Sequence, residues 1–259
     1  MRALTRPRIH PATRTTRIAA TTLLCAAVAA GAAACGPFAD EAKGKPAGPF
    51  AELTGSQIAE KAFAATRTAK SLTLTVDLKS ADEPTKGYLS LDAEGKCAGT
   101  LTFDTVNTAE LVKADDKDVY LRFDEGFLRA QVEDESPEVQ EATLKELKGR
   151  WVKTPVSDPD SKDMTALCDL ESLLSAFEEG ATGISRGGET TVDGHKALAL
   201  TEPGDAGESS TVYVATEGTP YILKIVTKGG EEPGTIAFSH YGKPVVAKVP
   251  APKDVVVTD

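Results

Sequence analysis

The fold of this chain is indicated first by the stretch Ser71-Leu72-Thr73-Leu74-Thr75-Val76-Asp77-Leu78. Apolar residues occupy every second position, and polar residues occupy the positions between them. Because successive side chains of a β-strand point to opposite faces, this period of two predicts a half-buried strand. One face of that strand should pack on a core, and the other face should meet water.

Similar alternating stretches lie on both sides of a helical middle third. A capping-box pattern at Thr54 and Gln57 predicts that a first helix begins there, ahead of all the strands. Turn dipeptides such as Gly187-Gly188 and Asp193-Gly194 separate the later strands. Connections this short favour antiparallel pairing, because parallel strands need long crossovers. The order of one helix, five strands, two helices and six strands therefore predicts an α+β fold with an antiparallel sheet.

The beginning of the chain has the parts of a secretory signal peptide. A run with five arginines and no acidic residue precedes an apolar stretch that ends at Ala34. Cys35 follows directly and resembles the cysteine of a bacterial lipobox, which receives a diacylglyceryl group before cleavage, although Ala32 stands where leucine is usual. The alternative is an ordinary cleaved signal peptide with an incidental cysteine.

These features predict the organisation of the whole chain. We expect residues 1–34 to be a lipoprotein signal peptide, residues 35–52 to be a lipid anchor with a flexible linker, and residues 53–259 to be the domain. Acyl chains on Cys35 would hold the protein at the outer, extracytoplasmic face of the cell membrane. The domain itself is expected to be a monomer.

Charge and the remaining cysteines limit the possible functions. The formal charge of −10 becomes about −15 once the five arginines of the signal peptide are removed, and such a polyanion is not expected to bind nucleic acid. In an exported protein, the pair Cys97 and Cys168 predicts a disulfide. Two independent buried thiols are the alternative.

Several local patterns, in this order, resemble those of the LolA-like lipoproteins, which in actinobacteria include the LppX and LprG types. The patterns are Gly95-Lys96-Cys97-Ala98-Gly99, Asp118-Val119-Tyr120, Gly149-Arg150-Trp151-Val152-Lys153, Asp193-Gly194-His195, Gly218-Thr219-Pro220-Tyr221 and Phe238-Ser239-His240-Tyr241-Gly242. The resemblance implies a strongly curved antiparallel half-barrel with helices packed over its concave face. It also implies an apolar cavity for acyl chains between the sheet and the helices.

The residues that would line such a cavity are the apolar residues of the inward strand positions and of the two middle helices. They are Leu74, Val76, Leu89, Leu101, Phe103, Leu121, Leu144, Leu147, Leu170, Leu173, Phe177, Leu198, Val212 and Ile225. The same residues would also make a dry core, and the sequence leaves that alternative open. A buried acyl chain of about 16 carbons gains on the order of 12 kcal/mol, so even a partial cavity could bind lipid.

Histidines and cysteines would be the first indications of a catalytic or metal site. His195 and His240 stand apart from any cluster of cysteines or histidines. We therefore expect no enzymatic activity, no metal site and no cofactor. The expected function is binding or transport of acylated lipids or lipoglycans by a membrane-anchored lipoprotein. An envelope module of the same fold, which senses a partner protein without transporting lipid, is the alternative.

Overall fold

The alternating stretch quoted above forms a central strand, β1 (Ser71–Leu78), in the computed structural model of the protein. The structure describes residues 48–81, 84–159, 161–166, 168–178, 183–204 and 207–257. Leu74 and Val76 of β1 pair with strands on both sides, and they share one face. The predicted strand is therefore confirmed.

The sheet has twelve strands in the described part of the chain. They are β1, β2 (Thr85–Asp92), β3 (Cys97–Phe103), β4 (Asn107–Lys113), β5 (Asp118–Phe123), β6 (Trp151–Pro155), β7 (Ser185–Val192), β8 (His195–Pro203), β9 (Ser209–Ala215), β10 (Ile222–Lys228), β11 (Gly234–Ser239) and β12 (Val255–Val257). Their order across the sheet is β12-β6-β5-β4-β3-β2-β1-β11-β10-β9-β8-β7. The two end strands do not pair with each other, so the sheet is curved but unclosed, and the predicted half-barrel is confirmed.

The helices are α1 (Gly55–Arg67), α2 (Glu125–Gln131), α3 (Pro137–Leu147), α4 (Lys162–Ala166) and α5 (Leu170–Glu178). The capping box of α1 is present as predicted: the Thr54 side chain accepts from the Gln57 amide, and the Gln57 side chain accepts from the Thr54 amide. Helix α1 contacts α5 and strands β7, β9 and β10, whereas α2 contacts α3 and β4. Two helix pairs, α1 with α5 and α2 with α3, therefore contact different strands of the sheet.

One hydrophobic core lies between the sheet and α1 and α5. Ile58, Ala62 and Phe63 of α1 and Leu174 of α5 are buried in the same cluster as the inward side chains of the sheet. A buried hydrogen bond adds to this packing, because the Ile222 amide donates to Thr66 Oγ1 of α1 over 3.0 Å. The concave face of the sheet is thus the inner face of the molecule.

Glycines allow neighbouring strands of this curved sheet to approach closely. A Cβ atom on Gly99 would lie 2.1 Å from the carbonyl oxygen of Tyr88, and one on Gly87 would lie 2.1 Å from that of Thr100. Any side chain at these positions would force two paired backbones apart. Glycines inside strands commonly mark tight bends, and these two occupy neighbouring strands on the concave face.

We expect Gly99→Ala to lower the free energy of unfolding by about 1–3 kcal/mol, since its Cβ must displace the backbone of β2. Urea unfolding measures the change. Thr100→Val, on the outer face of the same strand, is the control and should change stability by about 0.5 kcal/mol or less. Equal effects of the two variants would show that the close approach at Gly99 is unimportant.

Four details differ from the sequence expectations. Gly187 and Gly188 lie inside one strand, β7, at an irregularity of its pairing with β8, rather than in a turn. Helix α2 was not expected. Strand β12 pairs parallel to β6, because the chain crosses back from β11 to the far edge of the sheet. Phe50 is 3% exposed and belongs to the core, so the end of the predicted 35–52 linker is packed on the domain.

Candidate functional site

The concave face of the sheet is the candidate site, because its inward side chains form continuous rows across many strands. One row runs through Leu200, Val212, Ile225, Ile236 and Val76, each paired with the next on the neighbouring strand. Alternation along the strands places the nine strand candidates on this same face: Leu74, Val76, Leu89, Leu101, Phe103, Leu121, Leu198, Val212 and Ile225. The concave face is therefore apolar over most of its width.

Burial divides this face into two parts. Seven candidates are fully buried in the core cluster: Leu74, Leu89, Leu101, Leu121, Leu170, Leu198 and Ile225. A second group of inward side chains is only half-buried, and we call it the half-buried patch: Val76, Phe103, Phe123, Val212 and Ile236. The first group is packed as a dry core, whereas the half-buried patch retains apolar surface that a ligand could cover.

The half-buried patch is bounded by helix α2, which the sequence patterns did not indicate. Phe127 of α2 stacks on Phe123 with ring centroids 4.6 Å apart, and it lies 6.1 Å from the ring of Phe103. Asp124 caps the helix by accepting from the Phe127 amide over 2.8 Å. This capping aspartate was the only local signal for so short a helix.

The helical residues that were expected to line the cavity do not all lie over the core of the sheet. Leu170 and Leu173 of α5 pack against the core cluster. Phe177 also belongs to α5, but its side chain lies outside the described residues, as does Leu167. Leu144 and Leu147 of α3 are half-buried on a helix that contacts α2, and they are not members of the core cluster that the described residues form.

The predicted disulfide between Cys97 and Cys168 is present. Cys97 begins β3 on the concave face, and Cys168 lies between α4 and α5; both are buried, with Cα atoms 5.5 Å apart. The bond therefore attaches the start of α5 to the sheet. It fixes the helix that supplies Leu170, Leu173 and Leu174 to the core.

Two other sequence predictions concern chemistry and membrane attachment. Among the described residues, no group of three or more His, Cys, Asp and Glu side chains could hold a metal ion. His195 and His240 lie at separate turns and are exposed. Within the described part of the chain, no helix is both long enough and apolar enough to cross a membrane. Cys35, the predicted lipidation site, lies outside the described residues.

Comparisons with known proteins returned structures but no family. No family model matches the chain, and no curated protein is similar to it. The similar structures include the lipoprotein LppX of Mycobacterium tuberculosis, with 14% identity over 75% of this chain and 98% of that chain and a TM-score of 0.48. LprF of Mycobacterium bovis is 14% identical over 76% and 97% of the two chains, with a TM-score of 0.49.

A third similar structure is a putative outer membrane lipoprotein-sorting protein domain from Vibrio parahaemolyticus. It is 13% identical over 74% of this chain and 94% of that chain, with a TM-score of 0.23. LppX is among the types of lipoprotein that the sequence patterns resemble.

Proposed function

We propose that this protein binds the acyl chains of a lipid or lipoglycan against the half-buried patch of its concave face. The observation that carries the proposal is the incomplete burial of Val76, Val212 and Ile236 on a face whose neighbouring side chains are fully buried. Apolar side chains left partly open inside a curved sheet gain free energy when an apolar ligand covers them, at about 0.8 kcal/mol per buried methylene.

The boundaries of the patch support this type of ligand. Phe103, Phe123 and Phe127 form an aromatic group at one side, and aromatic rings provide large apolar contact areas. Every inward residue of the patch is apolar, so a polar headgroup would be unfavourable there. The acyl chains would therefore lie on the patch, while the headgroup would remain outside.

We also propose that the protein acts at the outer face of the cell membrane, attached through Cys35. The sequence supports this by the signal-peptide pattern, and the Cys97–Cys168 disulfide is typical of an oxidising, extracytoplasmic compartment. In this proposal residues 1–34 are removed, and the stretch after Cys35 links the lipid to the domain that contains β1.

Lipidation should depend on Cys35 alone. A Cys35→Ala strain grown with a labelled fatty acid should contain no label on this protein, since the thiol is the acceptor of the lipid. Cys25→Ala is the matched control and should keep the label, because Cys25 lies inside the predicted signal peptide. Label that persists on the Cys35→Ala protein would contradict the proposed anchor.

A titration with a fluorescent acyl-chain probe tests the proposed ligand class. A chain that begins at Gly36 contains the whole compact unit Gly44–Asp259 and lacks the anchor. Parinaric acid should bind it saturably, with one site per protein, and an unlabelled long-chain lipid should displace the probe. Fluorescence that rises without saturation, or that does not respond to the competitor, would argue against a defined acyl-chain binding site.

A further inference from the structure

The segment that follows β11 crosses the sheet from its middle to one edge. Strand β11 lies next to β1, whereas β12 lies beyond β6, so residues 240–254 must pass the positions of six strands. We call residues 240–254 the C-terminal strap. Its start is fixed on the sheet, since the Gly242 amide donates to the Ser71 carbonyl over 2.9 Å and Ser71 Oγ donates to the Lys243 carbonyl over 2.6 Å.

The tyrosine at the start of the strap strengthens this attachment. The ring of Tyr241 stacks on that of Tyr221 with centroids 4.0 Å apart, and its hydroxyl donates to the carbonyl of Ile222. Burial raises the pKa of Tyr241 above the ordinary value for tyrosine, so the hydroxyl remains a neutral donor. The first turn of the strap is thus held in one position.

The strap differs in charge from most of the compact unit Gly44–Asp259. The chain has 39 acidic and 29 basic residues, yet residues 233–253 contain no aspartate or glutamate. Lys243, Lys248 and Lys253 lie in this stretch, and all three are exposed. The strap is therefore a locally cationic segment of an acidic protein, with Asp254 at its end.

The same segment and the adjoining β12 carry exposed apolar side chains. Val246 is 79% exposed and Val249 is 47% exposed, and Val257 of the adjoining β12 is 66% exposed. These are three of the six large apolar residues that are exposed in the described part of the chain. Amphipathic helices that lie in a membrane interface combine lysines with apolar side chains, and the strap carries the same two kinds of group without being helical.

A groove of about 580 Å³ on the outer face of the sheet adjoins the start of the strap. Its walls include the hydroxyls of Thr73 and Ser90, which are hydrogen-bonded over 2.9 Å, together with Ser239, His240 and Lys243. The lining residues include no carboxylate. Hydroxyl, imidazole and ammonium groups are among the side-chain groups that contact phosphate oxygens.

His240 is held at the edge of this groove in an unusual backbone conformation. Its φ is +52°, in the left-handed region that few residues other than glycine adopt. Its Nδ1 lies 3.0 Å from Ser239 Oγ, which fixes the orientation of the ring. Strained residues of this kind persist where the surrounding structure holds them, and they cluster at binding sites.

We propose that the C-terminal strap docks on the surface of an anionic phospholipid membrane. Lys243, Lys248 and Lys253 would contact lipid phosphates, Val246 and Val249 would enter the boundary with the acyl chains, and the groove beside His240 would receive one headgroup. Charge complementarity selects this occupant, because residues 240–253 of the strap carry three lysines and no carboxylate in a chain that is acidic overall. The proposal does not depend on lipid binding at the concave face.

Vesicle binding tests the docking surface. The chain that begins at Gly36 should sediment with vesicles of phosphatidylcholine and phosphatidylglycerol in equal parts, but not with vesicles of phosphatidylcholine alone. The triple variant K243Q/K248Q/K253Q should partition about a hundredfold more weakly, since each lysine near an anionic surface contributes roughly fivefold. Binding of the unmodified chain should weaken steeply as salt is added.

The matched control carries the same change of net charge elsewhere. Lys61, Lys145 and Lys228 are also exposed, and K61Q/K145Q/K228Q should bind within about threefold of the unmodified chain, because screened distant charges contribute little. Both triple variants should keep the melting temperature of the parent. V246S/V249S should weaken binding without changing its dependence on salt.

Three results would overturn this proposal. Equal loss of binding in the two lysine variants would mean that net charge, and not the strap, governs binding. Equal binding to both vesicle types would remove the role of anionic lipid. A concentration-dependent dimer in analytical ultracentrifugation that V246S/V249S abolishes would assign the strap to a second copy of this chain instead.

Discussion

Removal of the Cys97–Cys168 bond should lower the free energy of unfolding by about 4 kcal/mol. The bond closes a loop across a sequence separation of 71 residues, and a loop of that length greatly restricts the unfolded chain. Both cysteines are buried in the core cluster, so the double variant C97A/C168A also loses local packing. Urea unfolding of the variant and of the parent measures the difference.

Two further observations separate the bond from the packing of the cysteines. Reduction of the parent protein should reproduce most of the loss seen in C97A/C168A, since it breaks the bond but keeps both sulfur atoms. Hydrogen exchange should show that protection falls first in α5, because the bond attaches the start of that helix to β3. Two free thiols in the denatured, unreduced parent would refute the bond itself.

Tryptophan at Val76 or Val212 should abolish lipid binding while sparing the fold. Both valines belong to the half-buried patch, and their cross-strand partners Ile236 and Ile225 place them on the concave face. A bulky ring there would occupy the surface that we assign to acyl chains. In an already packed core the same change would cost about 1–3 kcal/mol.

Melting temperature and bound lipid should be measured together for V76W, V212W and T100W. Thr100 precedes Leu101 and lies on the outer face, so T100W adds the same ring without entering the patch. We expect V76W and V212W to lose lipid at a nearly unchanged melting temperature, and T100W to keep it. A large loss of stability in the two valine variants, with no lipid in any protein, would show that the patch is ordinary core.

Much of the sheet could be predicted because alternation reports directly on strands. The pattern of Leu72, Leu74 and Val76 specifies both a strand and its inward face, and the turn at Asp193-Gly194 has the positive φ values that its residues favour. Strand β12 could not be predicted in this way. It has only three residues, and it pairs with β6 because the strap ends beside that strand, which no local sequence pattern indicates.

The candidate site could be predicted in part. Alternation gives the direction of each strand side chain, but the degree of burial depends on where the helices lie. The leucines of α3 and of α5 have similar spacing, yet Leu170 and Leu173 pack on the core while Leu144 and Leu147 do not join it. The Cys97–Cys168 disulfide holds α5 against the sheet, whereas α3 packs against the short helix α2.

The lipid that accompanies the protein from its own membrane is the most direct test of the proposed function. Anchored protein, extracted gently and examined by mass spectrometry after removal of its covalent anchor, should carry about one acylated lipid per domain, and V76W from the same preparation should carry none. A folded domain that retains its Cys97–Cys168 bond but yields no stoichiometric lipid would contradict the proposed role of the concave face.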